Sequence, residues 1–414
     1  MKTFLMSIIS KSRICIYFLN PIIEARIHDR STLICYVPLS FTIFFLAIWL
    51  VSLNSVCILH AAEFDVEVNT GATYDSNVER SFINPKSDVY FTFAPRASME
   101  LPVNKLYFNS GIRGAIEKHI EDMDSDLQEL VFSGLGRYTS NSHVSVGLKN
   151  DMAVSGRLRT AERLSDYTYP REFFGNNINV AFKYGFKGGK LPLSIDYTNV
   201  IRNYLGSEID DWIANYGNLS VGYQLGHKTL AQFGIGLARK GYYGDNSYLS
   251  FPINALVKRD FTDNLDATFN LGIESRRYSY LNGNPNWKRP IVSLLIKNKF
   301  TQKTGARLLL QYRVYDSDIE LYTGYAFTSA AVDTSMSLKI SKNIKLVLDG
   351  FYSKNNYIKM DRNDDVLSSH MQFQYRLPKW GSLALGYGIG WRSSNITRSD
   401  YQQHMADLYF LALF

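Results

Sequence analysis

Cysteine and long apolar runs are scarce in this chain of 414 residues, and each scarcity excludes a class of protein or site. The three cysteines, Cys15, Cys35 and Cys57, leave residues 58–414 with neither a disulfide framework nor a thiolate metal site. No segment after Glu63 is apolar for 18 residues, so that part has no transmembrane helix pattern. Yet 46% of the residues are hydrophobic, which excludes a disordered or collagen-like chain.

Motifs for catalysis, cofactors and nucleic acids are absent as well. The histidines after residue 62 show no metal-ligand spacing. No P-loop, dinucleotide fingerprint or nucleic-acid module occurs in the sequence. His119, beside the acidic stretch 121–126, is the one place where a catalytic group near a rim can be imagined, although a polar loop histidine is far commoner. Acidic stretches could also hold Ca²⁺, but solvated loops are the simpler interpretation. The sequence therefore predicts no enzyme, no cofactor, no bound metal and no nucleic-acid partner.

Residues 1–62 differ in kind from the rest of the chain. Five basic residues against two acidic ones precede an uncharged stretch from Ser31 to Leu59, which is followed by His60-Ala61-Ala62. A basic region, an apolar region and small residues at a cleavage site predict a secretory signal over 1–62 and a mature domain over 63–414. The basic region is long for such a signal, which suggests a start downstream of Met1. A transmembrane helix is the alternative.

Period-two alternation of apolar and polar residues runs through the whole of 63–414. In the first segment Phe64, Val66 and Val68 share one face while Asp65 and Glu67 share the other. About 18 such segments follow one another, each 10 to 14 residues or so in length. That is long for a soluble sheet but suits a tilted strand crossing about 25 Å of hydrocarbon.

The connections between these segments alternate between short and long. Short turns follow every second segment, and between them lie longer polar stretches, including 156–175, 202–214, 278–287, 316–328 and 355–365. An even number of strands with this layout predicts a transmembrane antiparallel β-barrel of the outer membrane, with short periplasmic turns and long extracellular loops. Lipid cannot satisfy an open sheet edge, so the sheet must close. A soluble β-sandwich or β-solenoid is the alternative.

The last strand ends on an aromatic residue. Leu408, Phe410 and Phe414 share one face, a pattern that resembles the insertion signal read by the barrel-assembly machinery. Leu411 and Leu413 lie on the other face, so apolar and polar residues alternate less regularly in this strand.

The face opposite the apolar one carries charges of both signs, with more cations than acids. This favours a hydrated pore over a lumen that carries lipid. We predict that five arginines contact the solute, because guanidinium groups pair well with carboxylates and sulfates: Arg96, Arg113, Arg137, Arg307 and Arg313.

Lysines gather at the short turns, and acidic clusters lie in the long loops. A cationic periplasmic rim would concentrate anionic solutes, although lysine is also a common turn residue. The predicted rim consists of Lys187, Lys190, Lys228, Lys303, Lys342 and Lys379. Loop 276–289 instead combines Arg276, Arg277, Lys288 and Arg289 with aromatic residues. It could contact lipopolysaccharide phosphates or simply form an aromatic girdle, so outer-membrane lipid and lipopolysaccharide are expected partners.

The stretch from Gly71 to Ser81, followed by Ser87–Tyr90 and Ala94–Arg96, resembles the opening hairpin of the putative β-barrel porin family of the second type. Glu79 departs from the apolar or aromatic residue expected there. Members of the family are similar to outer-membrane proteins of exopolysaccharide-biosynthesis systems. The resemblance implies an outer-membrane channel that serves as an exit for a secreted polysaccharide, with periplasmic polysaccharide-export proteins as partners.

Three functions follow for a barrel of this kind. The first is export of an anionic exopolysaccharide past the lumen cations. The second is a general or nutrient-specific diffusion porin, with a long loop such as 156–175 narrowing the pore. The third is a non-conducting structural or adhesin barrel, in which only the loop charges matter.

Overall fold

The computed structural model describes most of the chain after the predicted leader. Residues 62–413 are described except 79, 81–83, 122–126, 142, 156–172, 187–189, 205–210, 243–246, 280–285, 302, 317–325, 358–360, 379–380 and 397–398. Residues 1–61 of the predicted leader and Phe414 lie outside the described residues, so the domain boundary after residue 62 and the terminal aromatic signal stay predictions. No described helix is long and apolar enough to span a membrane.

Eighteen antiparallel strands form where the alternating pattern predicts them. They are β1 Glu63–Asp75, β2 Asp88–Val103, β3 Leu106–His119, β4 Leu127–Asn141, β5 Val144–Ser155, β6 Phe173–Phe186, β7 Leu191–Tyr204, β8 Trp212–Gln224, β9 Thr229–Tyr242, β10 Ser247–Asp260, β11 Leu265–Tyr278, β12 Asn286–Lys299, β13 Thr304–Asp316, β14 Ala326–Lys339, β15 Ile344–Tyr357, β16 Asn363–Leu377, β17 Gly381–Ser394 and β18 Tyr401–Leu413. Each strand pairs with its neighbours in the chain, so the sheet is a simple meander.

The sheet closes on itself because β1 pairs with both β2 and β18. Asn69 stands opposite Leu411 in β18, and the pairing continues to Asp75 opposite Met405. Beyond it, the amide of Ser76 donates to the carbonyl of His404 at 2.9 Å. The closed 18-stranded barrel confirms the predicted fold class and leaves no strand edge that lipid would have to satisfy.

Three of the short turns repeat one local device. The hydroxyls of Thr262, Thr301 and Ser341 accept hydrogen bonds at 3.0 to 3.1 Å from the backbone amide three residues later. A hydroxyl in this position holds a tight turn in place of a ladder hydrogen bond. The turn between β2 and β3 uses Asn104 at a φ of 50°, a conformation that asparagine tolerates well.

The two faces of the sheet differ in the way a lipid-embedded barrel requires. One face exposes large apolar side chains, among them Phe64, Ile273 and Leu385 with 62%, 58% and 60% of their surface accessible. Leu408 and Phe410 lie on this face, and Leu411 occupies the opposite one. The apolar face is the outer surface of the barrel, so the alternate residues line the lumen.

Several strands run further toward the long loops than the apolar alternation predicts. β7 continues to Tyr204 and β8 begins at Trp212, inside the predicted loop 202–214. Likewise β15 reaches Tyr357 and β16 begins at Asn363, inside the predicted loop 355–365. At these ends most outward residues, such as Asn203, Lys354 and Asn356, are polar, because the strand has left the hydrocarbon and backbone pairing alone continues it.

Candidate functional site: the barrel lumen

The strand register decides which side chains face the lumen. Glu67, Arg96 and Arg113 stand opposite one another in β1, β2 and β3 and therefore share one face. The residues beside them, Val66 and Ile112, are exposed on the apolar outer surface. The same reasoning around the ring places all five predicted arginines on the lumen face.

Arg96 and Arg113 are cross-strand partners, and each has a carboxylate nearby. Arg96 Nη1 lies 3.6 Å from Glu67 Oε2, and Arg113 Nη2 lies 3.4 Å from Glu129 Oε2. Both arginine side chains are more than half exposed. The pairs are therefore solvent-screened and weak, but they offset the positive charge of β2 and β3 locally.

The other three predicted arginines lie in different surroundings. The Arg137 guanidinium lies 5.7 Å from the centroid of the Tyr107 ring. Arg307 Nη1 lies 3.6 Å from Asp333 Oδ1 on β14, whereas Arg313 has no ion pair within the described residues. The structure thus groups Arg307 and Arg313 on one strand, away from Arg96 and Arg113. Contact of any of the five with a solute stays a prediction.

Two neighbouring strands, β12 and β13, carry cations and no acids on their lumen faces, although acids face the lumen from the flanking strands β11 and β14. Lys297 on β12 stands directly opposite Arg307 on β13, so two cations are cross-strand neighbours. The lumen faces of these two strands carry no acidic residue, because Asp316, the one acid in either strand, lies on the other face. We call this surface the cationic wall; its members are Arg289, Lys297, Lys299, Arg307 and Arg313.

The opposite side of the lumen is rich in carboxylates. We call the lumen face of β1–β4 the acidic wall; its acids are Glu63, Asp65, Glu67, Asp75, Asp88, Glu100, Glu117 and Glu129. The centres of the two walls are separated by eight strands in one direction and ten in the other, so they face each other across the barrel. Charge in this lumen is therefore segregated laterally, and a mobile ion meets a different environment on each side.

Four cations face the lumen although the sequence pattern did not predict them there. They are Arg202, Lys240, Arg276 and Arg289, and all lie near the long-loop ends of strands. The alternation fades at these ends, so the sequence placed them in or at the edge of loops. Acids such as Asp75, Asp260 and Asp407 also face inward. With these additions the two signs come close to balance, and the predicted excess of cations is replaced by the lateral segregation.

A buried ionic cluster lies at the long-loop end. Asp364 was expected in an acidic loop together with Asp365, but both residues lie on β16. Arg362 Nη2 donates to Asp364 Oδ2 at 2.8 Å, and Arg392 Nε lies 3.6 Å from the same oxygen. All three side chains in this cluster are at most 4% exposed. Breaking such a buried group leaves an uncompensated charge, so its role is structural and not in solute contact.

The predicted basic rim is present in part within the described residues. Lys190, Lys228, Lys303 and Lys342 lie exposed in four short turns. Lys228 Nζ is 3.8 Å from Asp263 Oδ1 in the neighbouring turn, where both side chains are largely exposed. Lys187 and Lys379 lie outside the described residues. Recruitment of solute by the rim stays a prediction.

The histidine singled out in the sequence is fully enclosed. His119 Nδ1 lies 2.9 Å from Asp88 Oδ2, and the two side chains are 0% and 1% exposed. Asp88 also accepts a hydrogen bond from the backbone amide of Glu121 at 3.1 Å. The enclosed His119–Asp88 pair holds the end of β2 against that of β3. Within the described part of the chain, no three His, Cys, Asp or Glu side chains are grouped to bind a metal ion.

The predicted loop 276–289 is mostly strand. β11 extends to Tyr278 and β12 starts at Asn286, so its four basic residues alternate between the two faces. Arg276 and Arg289 face the lumen, whereas Arg277 and Lys288 face outward. Only half of the predicted lipid-contact set can therefore meet lipid.

A match to one protein-family model supports a porin-like barrel. A family model described as Putative beta-barrel porin 2 matches residues 296–409, and the match confirms the family resemblance, although it lies away from the opening hairpin that suggested it. No curated protein matches the chain. Among solved structures, the outer membrane protein OpdK from Pseudomonas aeruginosa is similar, with a TM-score of 0.48, 11% identity and coverage of 85% of this chain and 99% of that one. OccK2 (OpdF) from the same organism, in complex with glucuronate, gives a TM-score of 0.49, 9% identity and coverage of 86% and 99%.

TM-scores below 0.5 at 9 to 11% identity show neither a shared family nor a shared solute. Taken with the closed 18-stranded sheet and its apolar outer face, the family match makes this chain a porin-like β-barrel of the outer membrane.

Proposed function

We propose that the protein is a diffusion channel for small anionic solutes, chiefly carboxylates, which pass along the cationic wall. The observation that carries this proposal is the run of five cations on the lumen face of β12 and β13 without an acid between them. Of the five, Arg307 alone has an ion pair with a described residue. Arg289, Lys297 and Lys299 keep their hydrogen-bond donors available for a passing anion, whereas Arg313 donates to Tyr315 and Gln311.

The spacing of these cations suits passage better than tight binding. Arg307 and Arg313 lie six residues apart on β13, which corresponds to about 20 Å along the strand. Conduction needs several sites that each hold the solute weakly and hand it on. Cations in a hydrated lumen bind a carboxylate weakly, since water and salt screen the attraction. Carboxylates on the far wall repel an anion and favour its passage along β12 and β13.

Export of an anionic exopolysaccharide, the function implied by the family resemblance, would use the same cations. That hypothesis rests on the resemblance alone, since the family model describes a porin and names no solute. Diffusion of small anions requires only the cations that the strand register places on the lumen faces of β12 and β13, so diffusion is the function proposed.

Solute uptake into proteoliposomes tests the proposal. Full-length protein, purified from outer membranes of a Gram-negative host, is reconstituted, and uptake is measured for a neutral sugar, a carboxylate and an amine of similar size. The proposal expects the carboxylate to enter faster than the neutral sugar. Equal uptake of the carboxylate and the sugar would contradict it. The same assay tests the export hypothesis with a charged oligosaccharide of about eight units. If the oligosaccharide passes as fast as its monomer, export of an anionic exopolysaccharide is favoured.

A further inference from the structure

The outer surface of the barrel carries a cluster of three cations near the long-loop end. They are Arg239 on β9, Arg277 on β11 and Lys288 on β12, and all three side chains are exposed. We call this cluster the lipid-facing basic patch. Arg239 and Arg277 alternate with the lumen-facing Lys240 and Arg276, which are buried.

The register brings the three cations together. Leu249 on β10 stands opposite Arg239 on one side and opposite Arg277 on the other. The two arginines are therefore two strand spacings apart, about 10 Å. Lys288 stands opposite Ser275, the outward residue next to Arg277 on the same face. A single anionic group above Leu249 is within reach of both arginine side chains.

The patch lies at one edge of the apolar belt. Below Leu249 on β10, the outward residues Phe251 and Ile253 are about half exposed, and the belt ends at Arg259 near the short turn. Leu249 and Arg259 are ten residues apart, about 33 Å along the strand and about 25 Å in height at a tilt of about 40°. That height equals the thickness of the apolar band of an outer-membrane barrel, so the patch lies at the headgroup level of the loop-side leaflet.

Within the described residues of β9–β12, no acid offsets the patch on this surface. The acids of β9–β12, namely Asp260, Asp266 and Glu274, all face the lumen. None of the three patch cations has an ion pair with a described residue. By contrast, the lumen-facing Arg276 pairs with Glu274 and lies over the Tyr248 ring. Three uncompensated cations beside an apolar belt favour an anionic ligand that itself sits at the edge of hydrocarbon.

We propose that the lipid-facing basic patch binds the phosphate groups of lipid A in the outer leaflet. Arginine donors match phosphate oxygens in a bidentate geometry, and Lys288 adds a third positive charge. The neighbouring Leu249 and Phe251 offer apolar contact to the acyl chains of the same molecule. The site is independent of what passes through the lumen.

The test measures lipid A binding to full-length protein that has been purified in detergent and stripped of lipid. Native mass spectrometry gives the dissociation constant for bisphosphorylated lipid A, for dephosphorylated lipid A and for phosphatidylglycerol. Each basic residue near a charged membrane surface contributes about fivefold in affinity, so R239Q/R277Q/K288Q is expected to bind lipid A about 100-fold more weakly than wild type. R259Q removes an outward arginine at the opposite rim and serves as the matched control, with unchanged affinity expected.

Three results would overturn the proposal. They are an unchanged affinity in the triple variant, equal binding of dephosphorylated lipid A by wild type, and binding of phosphatidylglycerol as tight as that of lipid A. If the triple variant fails to assemble, the single variant R277Q decides the matter, with about fivefold weaker binding expected. An affinity for R277Q equal to that of R259Q would then refute the site.

Discussion

The two walls of the lumen carry cations in very different settings. On the acidic wall, Arg96 and Arg113 each have a carboxylate within 4 Å. On the cationic wall, Lys297 and Arg307 form the same kind of cross-strand cation pair, but of the two only Arg307 has a described carboxylate within 4 Å, that of Asp333 on β14. The comparison teaches that the number of lumen cations says little about selectivity. Under the proposed function, their placement relative to the acids decides where an anion can travel.

Reversing the charge of the cross-strand pair on the cationic wall should have the largest effect. In 0.1 M salt, one unit of charge about 7 Å from a mobile ion contributes about 0.3 kcal/mol. K297E/R307E changes four units, so anion occupancy beside β12 and β13 should fall about sevenfold. Reversal potentials of single channels in a salt gradient should move toward cation selectivity. R96E/R113E makes the same charge change across the lumen, and an equal loss of anion current in both variants would contradict the account.

Neutralising arginines on one wall at a time should have a smaller effect. R307Q/R313Q removes two units of charge, and the uptake of a small carboxylate into proteoliposomes should fall about threefold. The control R96Q/R113Q, on the far wall, should leave carboxylate uptake within the error of wild type. If the control lowers uptake as strongly as R307Q/R313Q, anions do not follow the cationic wall.

The ion pairs on the acidic wall can also be broken by removing their carboxylates instead of their arginines. E67Q/E129Q leaves Arg96 and Arg113 without their carboxylates and so creates a second surface that favours anions. Anion conductance in 0.1 M salt should rise, but by less than threefold, since Asp65 and Glu100 still repel anions nearby. D365N, which removes one carboxylate from the outer face of β16, should not change it. A fall in anion conductance in E67Q/E129Q would show that these acids are not what excludes anions from that side.

The turn lysines should have the smallest effect. Lys303 and Lys342 lie in the turns at the base of the cationic wall and of the β14–β15 hairpin, whereas Lys190 and Lys228 lie in turns on another part of the rim. In fully hydrated turns, K303Q/K342Q should lower anion conductance by no more than about 1.5-fold in 0.1 M salt, and K190Q/K228Q should not change it. If K190Q/K228Q lowers anion conductance as much as K303Q/K342Q does, the whole basic rim attracts anions, and not only the part beside the cationic wall.

Most of the fold is readable from the sequence because a lipid-embedded barrel must obey a strict period of two. Phe64, Val66 and Val68 face outward as their alternation predicts. The pattern fails where strands leave the hydrocarbon, since lipid no longer selects apolar residues there. That is why Arg202 and Arg289 were assigned to loops although they belong to strands.

The lateral segregation of charge was not predictable in the same way. Alternation shows that Arg96 and Arg307 face inward, but it does not show which residues lie beside or across from them. Register pairs Arg96 with Glu67, and ring closure sets β2 and β3 opposite β12 and β13. Both depend on hydrogen-bonded neighbours that are distant in sequence, such as β1 and β18.

Charge-selective labelling of two serine positions tests the central claim most directly. Ser293 lies on the lumen face of β12, and Ser98 lies opposite Asp65 on the acidic wall. S293C and S98C are made in full-length protein whose Cys15, Cys35 and Cys57 are replaced by serine, so that each variant has a single thiol. We predict that S293C reacts about threefold faster with an anionic thiosulfonate reagent than with a cationic one, that S98C shows the reverse preference, and that both preferences vanish in 1 M salt. The same charge preference at both positions would contradict the account.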